Sequence, residues 1–123
     1  MYPLEKRTYD FSKSVIFYCK NVRQDSINRN IIQQLLRSST SIGANYREAN
    51  GATSRLDFRN KIHICKKEAQ ESYYWLNLLG DYVDSEDNQI EDLIKESNEL
   101  VLIFGKIAST MKNSKEKFDN QKQ

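Results

Sequence analysis

Between residues 57 and 82, Phe58, Ile62, Cys65, Ala69, Ser72, Leu76 and Leu79 recur at alternating steps of four and three. At about 100° per residue these side chains share one stripe of an α-helix, whereas a strand would scatter them over both faces. The segment is therefore a helix with a heptad-like seam that has to be buried against other helices.

Three more segments carry the same period. Over residues 8–22, Phe11, Val15, Tyr18, Cys19 and Val22 align, with Asp10 or Thr8 as cap, and residues 23–26 break the pattern. Over 27–50, Ile31, Leu35, Ser38, Ile42, Tyr46 and Ala49 form a small and polar inner face, and Gly51 follows where a left-handed terminating residue is wanted. Over 87–117 the seam runs through Ile90, Leu93, Ile94, Ser97, Leu100, Val101, Phe104, Ile107, Ala108 and Met111. Asp87, Glu91 and Asp92 at its start and Lys112, Lys115 and Lys117 at its end match the helix dipole, and the tail beyond Phe118 should fray. Connections this short force consecutive long helices to run antiparallel. The expected fold is all-α: one domain over residues 1–123, an up-down-up-down four-helix bundle. One Pro and 4 Gly leave no room for a turn-rich β architecture.

Several function classes drop out. No apolar run approaches the roughly 18 residues of a membrane span, and the first residues lack the apolar stretch of a secretory signal, so a cytoplasmic protein is expected. Cys19 and Cys65 are too few for a disulfide scaffold and lack metal-ligand spacing. The only histidine, His63, has no nucleophile turn around it. Glu48 and Glu68 are followed three residues on by Gly51 and Glu71 rather than by His, which removes a di-iron site. Glu68 and Glu71 remain as a carboxylate pair whose ordinary fate is an ion pair, with Lys66, Lys67 and the arginines of the second helix as candidates. Gly43, Gly51, Gly80 and Gly105 are isolated, so there is no phosphate loop. We expect no enzyme, no catalytic residue, no metal and no cofactor.

Charge is segregated behind a formal net of +2. Residues 1–67 hold 13 basic and 5 acidic side chains, residues 68–99 hold 1 and 10, and residues 100–123 hold 5 and 2. Such a chain can bind a polyanion on one surface or match basic to acidic surfaces between subunits. Ile64, Trp75, Leu78 and Tyr82 fall outside the seam of the third helix, as do Phe17 on the first and Leu102 and Ile103 on the fourth. Large aromatic anchors are typical of subunit contacts, so Phe17, Trp75, Leu78 and Tyr82 are expected to form the interface of a homo-oligomer.

The stretch SSTSIGANYREANGATSRLDFRNKIHICKKEAQESYYWLNLL, from Ser38 to Leu79, resembles the four-helix bundle family of proteins encoded by intervening sequences in 23S rRNA genes. Gln34, Leu35, Arg37, Ser38, Ser41, Asn45 and Glu48 occupy the family pattern at the end of the second helix. Phe58, Glu71 and the run Tyr74-Trp75-Leu76 continue the likeness, which extends from near Phe11 to near Leu102. Many relatives have Glu-Gly where this chain has Glu48-Ala49-Asn50-Gly51, so the second helix should end later. The resemblance extends to the accessory variability proteins of diversity-generating retroelements. It implies a homopentameric barrel around a channel, with basic surface that contacts nucleic acid and a reverse transcriptase in the retroelement relatives. It carries over no activity for the rRNA branch. With Leu35 at the centre of the inner stripe, Asn45, Ser41 and Glu48 lie about 80° to 140° away, on a flank where they would form a hydrogen-bonded seam holding the bundle or a subunit contact.

Two functions are expected from this. In the first, the bundle end that gathers Arg47, Arg55, Arg59, Lys61, Lys112 and Lys115 binds nucleic acid, RNA in preference, by phosphate contacts. In the second, the acidic region 81–99 or the outer aromatic face docks a protein partner.

Overall fold

The computed structural model describes residues 3–83 and 88–121, with side chains through Lys112. Four helices follow one another: α1 (Pro3–Asn21), α2 (Asn28–Asn50), α3 (Arg55–Val83) and α4 (Asn88–Gln121). At 1.5 Å per residue they measure about 28, 35, 44 and 51 Å. Each packs against its sequence neighbours, and α1 closes the ring against α4. Paired positions run in opposite directions at each contact, as in Ser12 with Ser39, Glu48 with Lys61 and Lys66 with Gly105, so the bundle is antiparallel.

The α3 seam is the buried spine. Ile62, Cys65, Ala69, Ser72, Leu76 and Leu79 are wholly inaccessible and Phe58 is half-buried, while Leu100, Phe104 and Ala108 of α4 and Val15 of α1 pack into the same core. The Tyr46 ring of α2 meets Phe104 edge-on at a centroid separation of 5.6 Å. Several core positions are polar: Thr8, Asn28, Ser38, Ser39, Ser72 and Ser97. Their atoms are satisfied, since among the described residues no buried side-chain nitrogen or oxygen lacks a partner.

The helix ends depart from the sequence expectations for local reasons. Helix α1 begins at Pro3, one turn and more before Thr8, because proline is preorganised for the first helical turn and Leu4 and Thr8 extend the inner stripe backwards. Thr8 is no cap: it is buried, and its hydroxyl donates to the Glu5 carbonyl at 3.0 Å. Before α2, the Asp25 carboxylate accepts from the Ile27 and Asn28 amides, each at 2.8 Å, while Asn28 Oδ1 accepts from the Asp25 amide at the same distance. This reciprocal box is what stops and restarts the chain.

Gly51 is not left-handed. Its φ is −94°, and its amide closes the helix on the Arg47 and Glu48 carbonyls, a conformation open to any residue. Ser54 caps α3, its hydroxyl accepting from the Asp57 amide at 3.0 Å, which starts the helix at Arg55 rather than at 57. Helix α4 continues to Gln121, past the expected end at 117. Asp87 lies outside the described residues, as do the side chains of Lys115 and Lys117.

Candidate nucleic-acid interface

The ion pairs on α3 decide which cations remain free. Arg37 of α2 reaches both carboxylates that the sequence left open. Its guanidinium donates to Glu68 at 3.2 Å and to Glu71, two carboxylates one turn apart on α3. Glu68 is buried, so the arginine both neutralises it and ties α2 to α3. Desolvation opposes the charge on Arg37, but the paired carboxylates outweigh it and hold the guanidinium pKa above its usual value. Beside this bridge an open groove of about 430 Å³ is lined by Gln34, Arg37, Glu71, Tyr74 and Trp75.

Of the expected phosphate contacts, Lys61 is engaged elsewhere. It donates to Glu48 of α2 at 2.7 Å, and Asp57 adds to the field that raises its pKa. The geometry turns Lys61 toward α2. Arg47, Arg55 and Lys112 are exposed, Arg59 is half-buried, and none of them has a carboxylate within ion-pair distance among the described residues. Their helix positions point to different flanks. Arg47 is one turn beyond Gly43, which faces Thr8, so it belongs to the α1 side of α2. Arg59 precedes by one heptad Lys66, whose Cε and Nζ lie against Gly105 of α4, and Lys112 follows Gly105 by one heptad. Lys66, expected only as a candidate partner of Glu68 and Glu71, was not grouped with the phosphate contacts. The signal was there in its seven-residue spacing from Arg59, but only the α3–α4 contact says which flank that spacing marks.

The expected polar seam forms only in part. Ser41 Oγ donates to the Arg37 carbonyl and Asn45 Nδ2 to the Ser41 carbonyl, both within α2, because short side chains on a helix flank find the preceding turn before they find a neighbour. The connection across α2 and α3 is made instead by Ser38 with Ser72, by Arg37 with Glu68 and Glu71, and by Glu48 with Lys61.

The four expected interface residues also divide. Trp75 is half-buried against the core, its ring edge-on to Tyr74 at 5.0 Å. Leu78 and Tyr82 are exposed on the same outer flank of α3, where the Tyr82 hydroxyl donates to Asp25 at 2.7 Å. That bond raises the Tyr82 pKa, and the Asn28 amide with the Tyr82 hydroxyl lowers that of Asp25. Phe17 is half exposed on α1, whose main neighbours are α2 and α4, so it stands on a different helix from the other three.

Among the described residues no three His, Cys, Asp or Glu side chains converge to hold a metal ion, and no helix is long and apolar enough to cross a membrane. Both cysteines are buried.

With this architecture established, the comparisons are informative. The family model described as 23S rRNA-intervening sequence protein matches residues 4–106, which takes in the Arg37 bridge, the Ser38–Ser72 contact and parts of all four helices. The chain belongs to this family. A crystal structure from Bacteroides thetaiotaomicron VPI-5482, described as a protein of unknown function from the S23 ribosomal protein family, is similar at 36% sequence identity and a TM-score of 0.75. The likeness covers 85% of this chain and 96% of that one, so the family fold accounts for nearly the whole bundle. No functionally curated protein matches the chain.

Proposed function

We propose that this family member is a non-enzymatic, self-assembling cytoplasmic bundle that binds nucleic acid, RNA in preference, through basic surface. One observation carries the reading. Lys6, Arg7, Arg37 and Lys61 are each held by a carboxylate, whereas Arg47, Arg55 and Arg59, on either side of the α2–α3 turn, have none among the described residues. Unneutralised cations at the end of a rigid bundle attract a polyanion, and assembly would multiply them. The family description, which names an intervening sequence of 23S rRNA, makes RNA the first ligand to test.

Self-assembly is supported by the outer stripe of α3, where Tyr74, Leu78 and Tyr82 are exposed beside Trp75. Five copies is the number the sequence resemblance implies. The same stripe favours a second reading, in which it docks a protein partner and the bundle is an adaptor.

The test is a salt series with single-stranded RNA, duplex RNA and duplex DNA, run beside light scattering. Binding should weaken with a log–log slope of about −0.7 to −0.9 per neutralised phosphate. The double variant Arg55→Glu/Arg59→Glu should abolish binding and leave the particle mass unchanged, and Trp75→Ala should reduce that mass. Absence of binding to all three ligands at low salt overturns the nucleic-acid reading, and a monomer mass at tens of micromolar overturns self-assembly.

A further inference from the structure

The α3–α4 flank differs from every other flank of the bundle in what it lacks. Carboxylates on the neighbouring stretch of α3 are turned the other way: Glu68 is bound to Arg37 of α2, and Asp57 acts on Lys61, which faces Glu48. Those of α4 face α1, where Glu96 binds Arg7 and Glu99 acts on the same arginine. From residue 100 to 112, α4 carries no acid at all. From Lys66 and Gly105 toward the α2–α3 turn the groove is basic among the described residues, while Glu91, two heptads before Gly105, stands on the α4 face at its other end.

Heptad spacing fixes its order. Lys66 of α3 lies against Gly105 of α4. One heptad toward the α2–α3 turn, Arg59 and Lys112 stand on the same two faces, about 10.5 Å further along the axis. One heptad the other way are Tyr73 on α3 and Asn98 on α4, both exposed, and one further is Gly80, again in contact with α4 at Ile90. Among the described residues the groove thus presents three cations with no carboxylate within ion-pair distance, followed by an exposed aromatic ring and an amide, with Glu91 beyond them opposite Gly80.

Gly105 adds an independent pointer. Glycine in a helix interior is unfavourable, and packing justifies it where a neighbour would collide with a side chain. At Gly43 an added Cβ would stand 3.3 Å from Thr8 Oγ1, and at Gly80 it would stand 3.4 Å from Ile90. At Gly105 the nearest atom is Lys66 Cε at 3.7 Å, the flexible end of a lysine. Packing within the bundle does not require this glycine, and its missing side chain leaves the α4 backbone open beside Lys66.

Resting on the nucleic-acid reading above, we infer that a single strand lies along the α3–α4 groove, its phosphates on Lys66, Arg59 and Lys112 over Gly105, with a base stacked on Tyr73. A charged track beside an aromatic platform is how single strands are held without sequence preference, and a duplex offers no free base face to Tyr73.

The experiment compares binding of an unstructured RNA oligomer and of duplex RNA by wild type and variants, each checked for an unchanged helical spectrum and melting temperature. Wild type should prefer the single strand. Lys66→Gln and Lys112→Gln should each reduce the magnitude of the salt slope by about 1. Tyr73→Ala should lose about tenfold in affinity with the slope unchanged, and Tyr73→Phe should restore it. Gly105→Leu should weaken binding without altering the slope, and Lys20→Gln, exposed near the end of α1, should leave both unchanged. Wild-type binding that is lowered by Arg47→Gln but indifferent to Lys66→Gln and Tyr73→Ala overturns the groove and keeps the broader reading. Equal affinity for duplex and single strand removes the stacked base, and no binding by wild type overturns both.

Discussion

Ser72 and Ser38 meet in the middle of the α2–α3 contact, where the Ser72 hydroxyl donates to the Ser38 hydroxyl at 2.9 Å and neither residue is accessible to solvent. Ser38 in turn donates to the Leu35 carbonyl at 3.2 Å, and the Ser72 proton is shared between Ser38 and the Glu68 carbonyl, also at 2.9 Å. The small side chains let α2 and α3 approach closely, and the relay satisfies the hydroxyls that closeness buries. Ser72→Ala should cost about 1 kcal/mol in denaturant unfolding, and the double variant with Ser38→Ala should cost less than the sum of the two singles, because the bond between the two hydroxyls is lost only once.

Removal of Arg37 should be the most damaging of the charge deletions. It leaves Glu68, buried beneath α2, with no cation. Half of the Arg37 side chain is exposed and water will reach part of the vacated site, so Arg37→Ala is expected to destabilise by about 1–2 kcal/mol. Glu68→Gln should restore much of that loss in the Arg37→Ala background. Lys61→Ala breaks only the exposed pair with Glu48 and should scarcely move the unfolding midpoint.

Two glycines should respond to alanine with opposite signs. At Gly105 the new methyl makes an ordinary contact, so the variant should gain about 0.5–1 kcal/mol from helix propensity. At Gly43 the methyl presses on Thr8, which is buried and bonded to Glu5 and cannot retreat, so the gain is lost to strain. Thermal melts of the two variants make the comparison directly.

How much of this was legible beforehand follows from geometry. The seam of α3 was readable position by position because a helix repeats its inner face regularly, and the residues from Ile62 to Leu79 that carry it are buried without exception. Helix α2 was read too narrowly. It packs between two neighbours, so Ile32 and Ser39 on its α1 side and Asn28 at its start are buried along with the single stripe that periodicity picks out. The partner of Glu68 and Glu71 lay on another helix, where sequence spacing on α3 has no purchase, and the same holds for the loss of Lys61 to Glu48. Phe17 was grouped with Trp75 by size alone, since periodicity places a residue on a helix face but not that face beside another helix.

Both thiols should be inert in the native bundle. Burial pushes Cys19 up to about 11 and Cys65 up to about 12, against an ordinary 9.0. Alkylation at pH 8 should therefore be slow until denaturant is added. The sign for stability follows from linkage: the folded state keeps protons that the unfolded thiols release, so the contribution is complete below pH 9 and is lost as pH rises through 11 to 12. Melting temperatures should decline over that interval, and less steeply when both cysteines are replaced by alanine.

The hydroxyl- and amide-bearing core positions, Thr8, Asn28, Ser38, Ser39, Ser72 and Ser97, have a thermal consequence. Exposure of hydrocarbon raises the heat capacity of unfolding and exposure of polar surface lowers it. A bundle that releases hydroxyls together with its aliphatic seam should fall below the usual value of about 12–15 cal/mol/K per residue. Its free energy of unfolding then changes slowly with temperature, so moderate stability is held over a broad range and cold destabilisation is displaced to lower temperature.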